Sequence, residues 1–303
     1  MTTENLLKQQ MVLEFKYSKE NARKLIKHEL ETCFNTMYLV YDCIASIEKW
    51  LLSSSYESKQ LRKQHLIQSE YNLLNFCLGV MVVVLREGKP QPLQSVAGIM
   101  APTFGFEDIF DGVKTASELM GIMCEHDLFD IEVATLNDEN RMMIIPLWKL
   151  DDEIKQHLIN IRYQPPMVSK PIVVMNNRAY QYYSFSESLL LGTPVNHHDM
   201  PLALDVINLM NNQALSLDYH VLQLEELPNK PLDTLQKQEQ FTQMKQASRT
   251  VYNEMLDHGN KFYLTHKFDK RGRLYSQGYH INIQSTEYKK ALINFAKKEV
   301  VKL

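Results

Sequence analysis

The sequence predicts an α+β fold, predominantly α-helical, and three observations lead there. Apolar residues recur at helical spacing over most of 19–162 and again over 202–255. Only one stretch, DIEVATL and RMMIIPLW about the turn Asn137-Asp138-Glu139-Asn140, reads clearly as a β-hairpin. Prolines and glycines cluster where the periodic segments end, as at Gly88-Lys89-Pro90 and Pro165-Pro166.

Taken in order, a helix is expected over about Lys19–Leu52, where Cys33, Met37, Val40, Tyr41, Ile44, Ile47 and Leu51 share a face. A second runs from about Ser58 through CLGVMVVVL to Gly88. PLQSVAGIMAP and FEDIFDGVKTASELMGIMCEHD supply another helix or two before the hairpin, and LDDEIKQHLINIR a further one after it. Residues 168–198 are irregular, with a strand-like IVVM and the aromatic AYQYYSF. A long helix is then expected from Asp199, as N-cap with Pro201 just inside, carrying Leu202, Val206, Leu209, Val221 and Leu224 to the break at EELPNKP. A second long helix over Thr234–Lys261 would complete an antiparallel helical hairpin. The strand-like KFYLTHKFD, an RGR turn and a final helix capped by Ser285 or Thr286 follow. That helix would turn Tyr288, Ala291, Leu292, Phe295 and Ala296 inward and its lysines outward.

At 303 residues, 45% hydrophobic and 23% charged, the chain can bury a large core and hold two or three subdomains. Cys33, Cys43, Cys77 and Cys124 form no C-x-x-C pair and read as buried, reduced thiols. MTTENLLKQQ lacks the apolar core of a leader, and no apolar run approaches the ~18–20 residues of a membrane span. A cytoplasmic protein is expected.

Charge is unevenly spread. The formal net charge is −3, yet from Lys261 onward eight Lys and two Arg face three acids, giving +7 there and −10 before it. Within this basic end lies Asp269-Lys270-Arg271-Gly272-Arg273. Gly272 lets the backbone turn or approach a ligand, the two guanidiniums can fork onto phosphate oxygens, and Asp269 can hold one of them in place. Tyr275, Tyr279 and His280 offer flat surfaces for sugars or bases. A nucleic-acid backbone site is the chemistry this pattern suits. A solvated basic turn is the competing reading.

The same residues carry a resemblance. DKRGRLY, then H-x-N at His280–Asn282, then EYKKALINFAKKE resembles the D-x-R-G-R motif and following helix of single-subunit DNA-directed RNA polymerases of phages and mitochondria. YQPPMVSKP, ALDVINLMNNQALSLDYHVLQ, EELPNKP and RTVYNEMLDHGNKFYLTHKFD are similar to other family segments in the same order, over about 145–303. The resemblance implies an N-terminal helical domain with a small hairpin at 1–198, a two-helix thumb at 199–262 and the start of the palm at 263–303. It implies contacts to template DNA and the RNA–DNA hybrid from Asp269, Arg271, Gly272, Arg273, Tyr275, Asn282 and Lys289. Where relatives have roughly N-P-Q-G-N-D, this chain reads Asn282-Ile283-Gln284-Ser285-Thr286-Glu287, and the thumb is short. The family's metal-binding aspartates, and its catalytic Lys and Tyr, have no counterpart here. Two-metal phosphoryl transfer needs such carboxylates. The expectation is therefore the N-terminal subunit of a split nucleotidyltransferase, with Mg²⁺ bound by a second subunit carrying the rest of palm and fingers. The alternative is a stand-alone nucleic-acid-binding protein that keeps a polymerase-like fragment.

Other candidates are weaker. His197-His198-Asp199 has no further ligand pair spaced to join it, and Cys124 and His126 sit at the end of an apolar helix. No P-loop, GxGxxG, GxSxG or HExxH string occurs.

Overall fold

The computed structural model describes residues 3–136, 139–161, 163–193 and 196–298. They fall into two compact units: a continuous one, 20–158, and a discontinuous one, 1–19 with 159–303. Among the described residues roughly half are helical and the strands form three small antiparallel sheets, which is the mixed, mainly helical class expected. The expected boundaries at 198/199 and 262/263 both lie inside the discontinuous unit, which also takes in the first helix.

That helix, α1 (Thr3–Lys16), precedes the continuous unit. There follow α2 (Lys19–Thr32), α3 (Phe34–Leu52), α4 (Glu57–Gln68) and α5 (Leu73–Glu87). The single helix expected over 19–52 is broken at Cys33, which adopts extended backbone as the N-cap of α3. The next is broken before Asn72, whose side chain accepts from Asn75 N at 2.9 Å to start α5. Gly88 closes α5 at φ 62°. The run CLGVMVVVL is buried on nearly every side because α5 is the central helix, packed with Val40, Cys43 and Ile47 of α3. Each such side chain is worth about 1.5–3 kcal/mol of burial. Cys43 and Cys77 are buried as expected, whereas Cys33 and Cys124 are partly exposed at helix ends. Strand β1 (Gln91–Pro92), α6 (Leu93–Met100), a 3-10 turn (Ala101–Phe104) and α7 (Ile109–Glu125) lead to the hairpin of β2 (Asp130–Leu136) and β3 (Glu139–Ile145). β3 lies between β1 and β2. Glu139 and Asn140 belong to β3, not to the turn, and positions 137 and 138 lie outside the described residues. Helix α8 (Asp152–Asn160) runs across the end of the unit at 158.

The discontinuous unit departs most from expectation. Residues 171–175 form no strand. The expected long helix from Asp199 is instead α9 (Leu204–Asn211), strand β4 (Leu215–Leu217) and the single turn α10 (Tyr219–Leu222). Ala203, not Asp199, stands at the N-cap of α9. The physical reason is local: Asn211-Asn212 ends α9, and Asp218 caps α10 through His220 N (2.8 Å) and Val221 N (3.1 Å). Only the second helix forms at length, as α11 (Leu235–Asp257) with Thr234 as N-cap, so the pair of long helices expected over 199–261 is not formed.

After α11 come β5 (His266–Phe268), β6 (Leu274–Ser276), α12 (Glu287–Ala291) and β7 (Ile293–Phe295). Thr286 caps α12 as foreseen, but the helix lasts five residues. The chain then pairs as β7 with β4, in register Leu215↔Phe295 and Leu217↔Ile293. Consequently Phe295 is 64% exposed rather than inward, and Lys289 is buried rather than outward. Leu13 and Tyr17 of α1, Val251, Tyr252 and Met255 of α11, and Phe262, Ile281 and Leu292 form this unit's main core.

Candidate nucleic-acid interface

Strands β5 and β6 pair Phe268 with Leu274 and close over Lys270-Arg271-Gly272. Gly272 N donates to Asp269 O (3.0 Å) and Asp269 N to Arg273 O (2.9 Å). Gly272 sits at φ 80°, the left-handed conformation that closes a three-residue hairpin loop. An added Cβ there would meet nothing within 4 Å, so the glycine serves backbone geometry and not close packing.

Asp269 organises the tip. Its Oδ1 accepts from Arg271 N and Arg273 N, both at 2.9 Å. Its Oδ2 accepts Arg273 Nε at 2.7 Å, with Arg273 Nη2 also 2.7 Å away and the Tyr275 hydroxyl at 3.4 Å. The backbone donation from Arg273, joined by its guanidinium, holds the Asp269 carboxyl below the usual range. The Asp269 side chain is only 15% exposed, whereas those of Arg271 and Arg273 are 73% and 53% exposed. A guanidinium has five donors in a fixed fork. Arg273 turns one edge to Asp269 and lies over the Tyr275 ring, 5.6 Å from its centroid. Lys267, by contrast, is buried and paired with Glu187 at 2.9 Å. The cations presented outward are Lys270, Arg271 and Arg273.

The remaining expected site residues stand behind this tip. Asn282 donates to Ser276 O (3.2 Å) and Gly278 O (2.8 Å) and accepts from Gln284 N (2.7 Å), so its amide fixes the loop after β6. Lys289 is 4% exposed, donates to Tyr279 O (2.9 Å) and lies 4.6 Å from the Tyr279 ring centroid. Burial lowers its ammonium pKa. His280 is buried too, with Nδ1 2.9 Å from Ser248 Oγ and Nε2 unpartnered. Burial, with the Lys289 charge beside it, lowers its pKa to about 4. His280 therefore offers no flat surface, while Tyr279 remains 43% exposed and stacks on Tyr163 at 4.4 Å.

Two braces were not foreseen. Gln284 accepts from Ser276 N (2.9 Å) and donates to Leu274 O (3.1 Å), clamping β6. His266, Gln181 and Asn211 form a buried network beneath β5, with Asn211 Nδ2 on Gln181 Oε1 at 2.7 Å and His266 Nδ1 2.9 Å from Asn211 Oδ1. Asparagine and glutamine inside otherwise apolar segments are the only sequence signal for either.

Among the described residues no three His, Cys, Asp or Glu side chains are placed to hold a metal ion. His126 Nδ1 lies 2.9 Å from Asp42 Oδ2. No single described helix is long and apolar enough to cross a membrane. No family model matches the chain, and no curated protein is significantly similar to it.

Proposed function

We propose that the hairpin tip at 269–273 grips the phosphate backbone of a nucleic acid. The observation that supports it best is the Asp269 brace: one carboxylate fixes both arginine backbones, holds the Arg273 guanidinium and lies 3.6 Å from Arg271 Nε, while Lys270, Arg271 and Arg273 stay exposed to solvent. Preformed guanidinium geometry suits bidentate phosphate contact and lowers the ordering cost on binding. The surrounding unit is basic as a whole, with 20 Lys and Arg against 15 Asp and Glu over 1–19 and 159–303, a net +5. The continuous unit is −8 by the same count.

Joined to the D-x-R-G-R resemblance, the reading becomes a subunit of a split single-subunit-type DNA-directed RNA polymerase. This chain supplies template and hybrid contacts, and a partner chain carries the Mg²⁺-binding aspartates. The test is co-purification from the native cell followed by Mg²⁺-dependent RNA synthesis on single-stranded DNA. A stoichiometric partner, activity only in the mixture, and loss of that activity in Arg273→Ala with the complex still assembled are expected. Full activity of Arg273→Ala would remove the hairpin from the mechanism. The reading as a stand-alone nucleic-acid-binding protein is favoured by one observation, the short α9 where a long thumb helix was expected. It requires no partner and no synthesis.

A further inference from the structure

An open groove of about 410 Å³ lies along the aromatic segment 179–186, on the same unit as the hairpin. Tyr182 and Phe185 stack at 4.3 Å and 23° within its lining. Tyr180 and Tyr183 expose 47% and 36% of their surface. Two of the rings are fixed in advance: the Tyr182 hydroxyl lies 2.9 Å from Thr265 Oγ1, and that of Tyr183 donates to Lys170 O at 2.7 Å. The backbone is pinned as well, because the buried Glu14 carboxylate accepts from Tyr183 N (3.1 Å) and Ser184 N (2.7 Å). With these two hydroxyls engaged, the exposed part of the lining is mainly the aromatic surface of Tyr180 and Tyr183.

Its charge fits an anionic polymer. From Lys170 to Ser186 the chain carries Lys170 and Arg178 and no acid; the Glu14 carboxylate behind the segment is buried and taken up by its N–H groups, and Glu187 is paired with Lys267. The segment that lines the groove is also tied to the hairpin's first strand. Gln181 Nε2 donates to His266 O (2.9 Å) and Leu191 N to Phe268 O (2.8 Å), so residues 181–191 run beside β5. From Thr265 to Asp269 is four residues of extended chain, roughly 13 Å, a span of a few nucleotides. We propose that the Tyr180–Tyr183 groove stacks unpaired bases of a single-stranded nucleic acid whose phosphates continue onto Arg271 and Arg273. Aromatic stacking of this kind tolerates any base and needs no base-edge hydrogen bonds.

The inference rests on the backbone-gripping reading, and the two are separable. The whole chain is titrated by fluorescence anisotropy with a labelled oligothymidine and with an abasic strand of equal length. The expected result is roughly tenfold or greater preference for the base-bearing strand. That preference should be lost in Tyr180→Ala/Tyr183→Ala and kept in Tyr180→Phe/Tyr183→Phe, with the salt dependence of binding unchanged in both. Equal, salt-dependent affinity of the unaltered protein for the two strands overturns the groove and leaves the hairpin reading standing. A peptide-binding groove would give that result. Failure to bind either strand overturns both.

Discussion

At the scale of single residues, the tip turns on Asp269 more than on its arginines. Simple charge counting says that Asp269→Ala, which removes a negative charge beside a polyanion, should tighten binding. The brace says the opposite. Without Oδ1 and Oδ2, two backbone N–H groups and the Arg273 fork lose their common acceptor, and affinity for an oligonucleotide should fall several-fold. Anisotropy titration distinguishes the signs. Lys289 makes the complementary case. Its ammonium is buried on Tyr279 O and faces His280, so Lys289→Met should leave oligonucleotide affinity within about twofold. The same change should raise the His280 pKa toward its ordinary value, because one of the two influences depressing it is gone. An NMR titration of His280 reads this directly, and an unmoved pKa would show that burial acts alone.

At the scale of elements, α11 was legible because period and punctuation agree, whereas α1 was not foreseen. Thr234 opens α11, and Ser248, Val251 and Met255 turn to the core on one face. The RGR hairpin and its aspartate brace were legible because Asp, Gly and their spacing act locally. Strands β4 and β7 were not. Each is three residues long, and Leu215-Ser216-Leu217 fits a helical stripe as well as a strand until its partner 78 residues later is known. The burial of Lys289 was equally hidden, since its acceptor is a backbone carbonyl supplied by tertiary folding. The short α9 makes a stability prediction. Leu209, 63% exposed, should accept Gln with a change within about 0.5 kcal/mol, whereas Ile207, fully buried, should lose about 2–5 kcal/mol on conversion to Ala. Urea midpoints of the two variants check this. A large loss at Leu209 would restore the long helix with Leu209 on its apolar stripe.

At the scale of the whole molecule, two buried imidazoles couple folding to pH. Burial depresses both His266 and His280 to about 4. Their folded-state pKa values lie below the unfolded value of about 6.5, so nothing is lost above that pH. As pH falls from about 6.5 to 4, the unfolded chain takes up protons that the folded one refuses, and stability declines by on the order of 3 kcal/mol per imidazole. Denaturant midpoints at about pH 7 and pH 5 should therefore differ, and replacing His280 by Gln should flatten the dependence. Over longer distances, the net +5 of the discontinuous unit would attract a polyanion to the unit that carries the hairpin. The most direct test of that central claim is the salt dependence of oligonucleotide binding by the unaltered chain and by Arg271→Ala/Arg273→Ala. Loss of two phosphate contacts on a single strand should make the slope of log K against log salt shallower by about 1.4. An unchanged slope would place the phosphate contacts elsewhere and contradict the assignment of the hairpin.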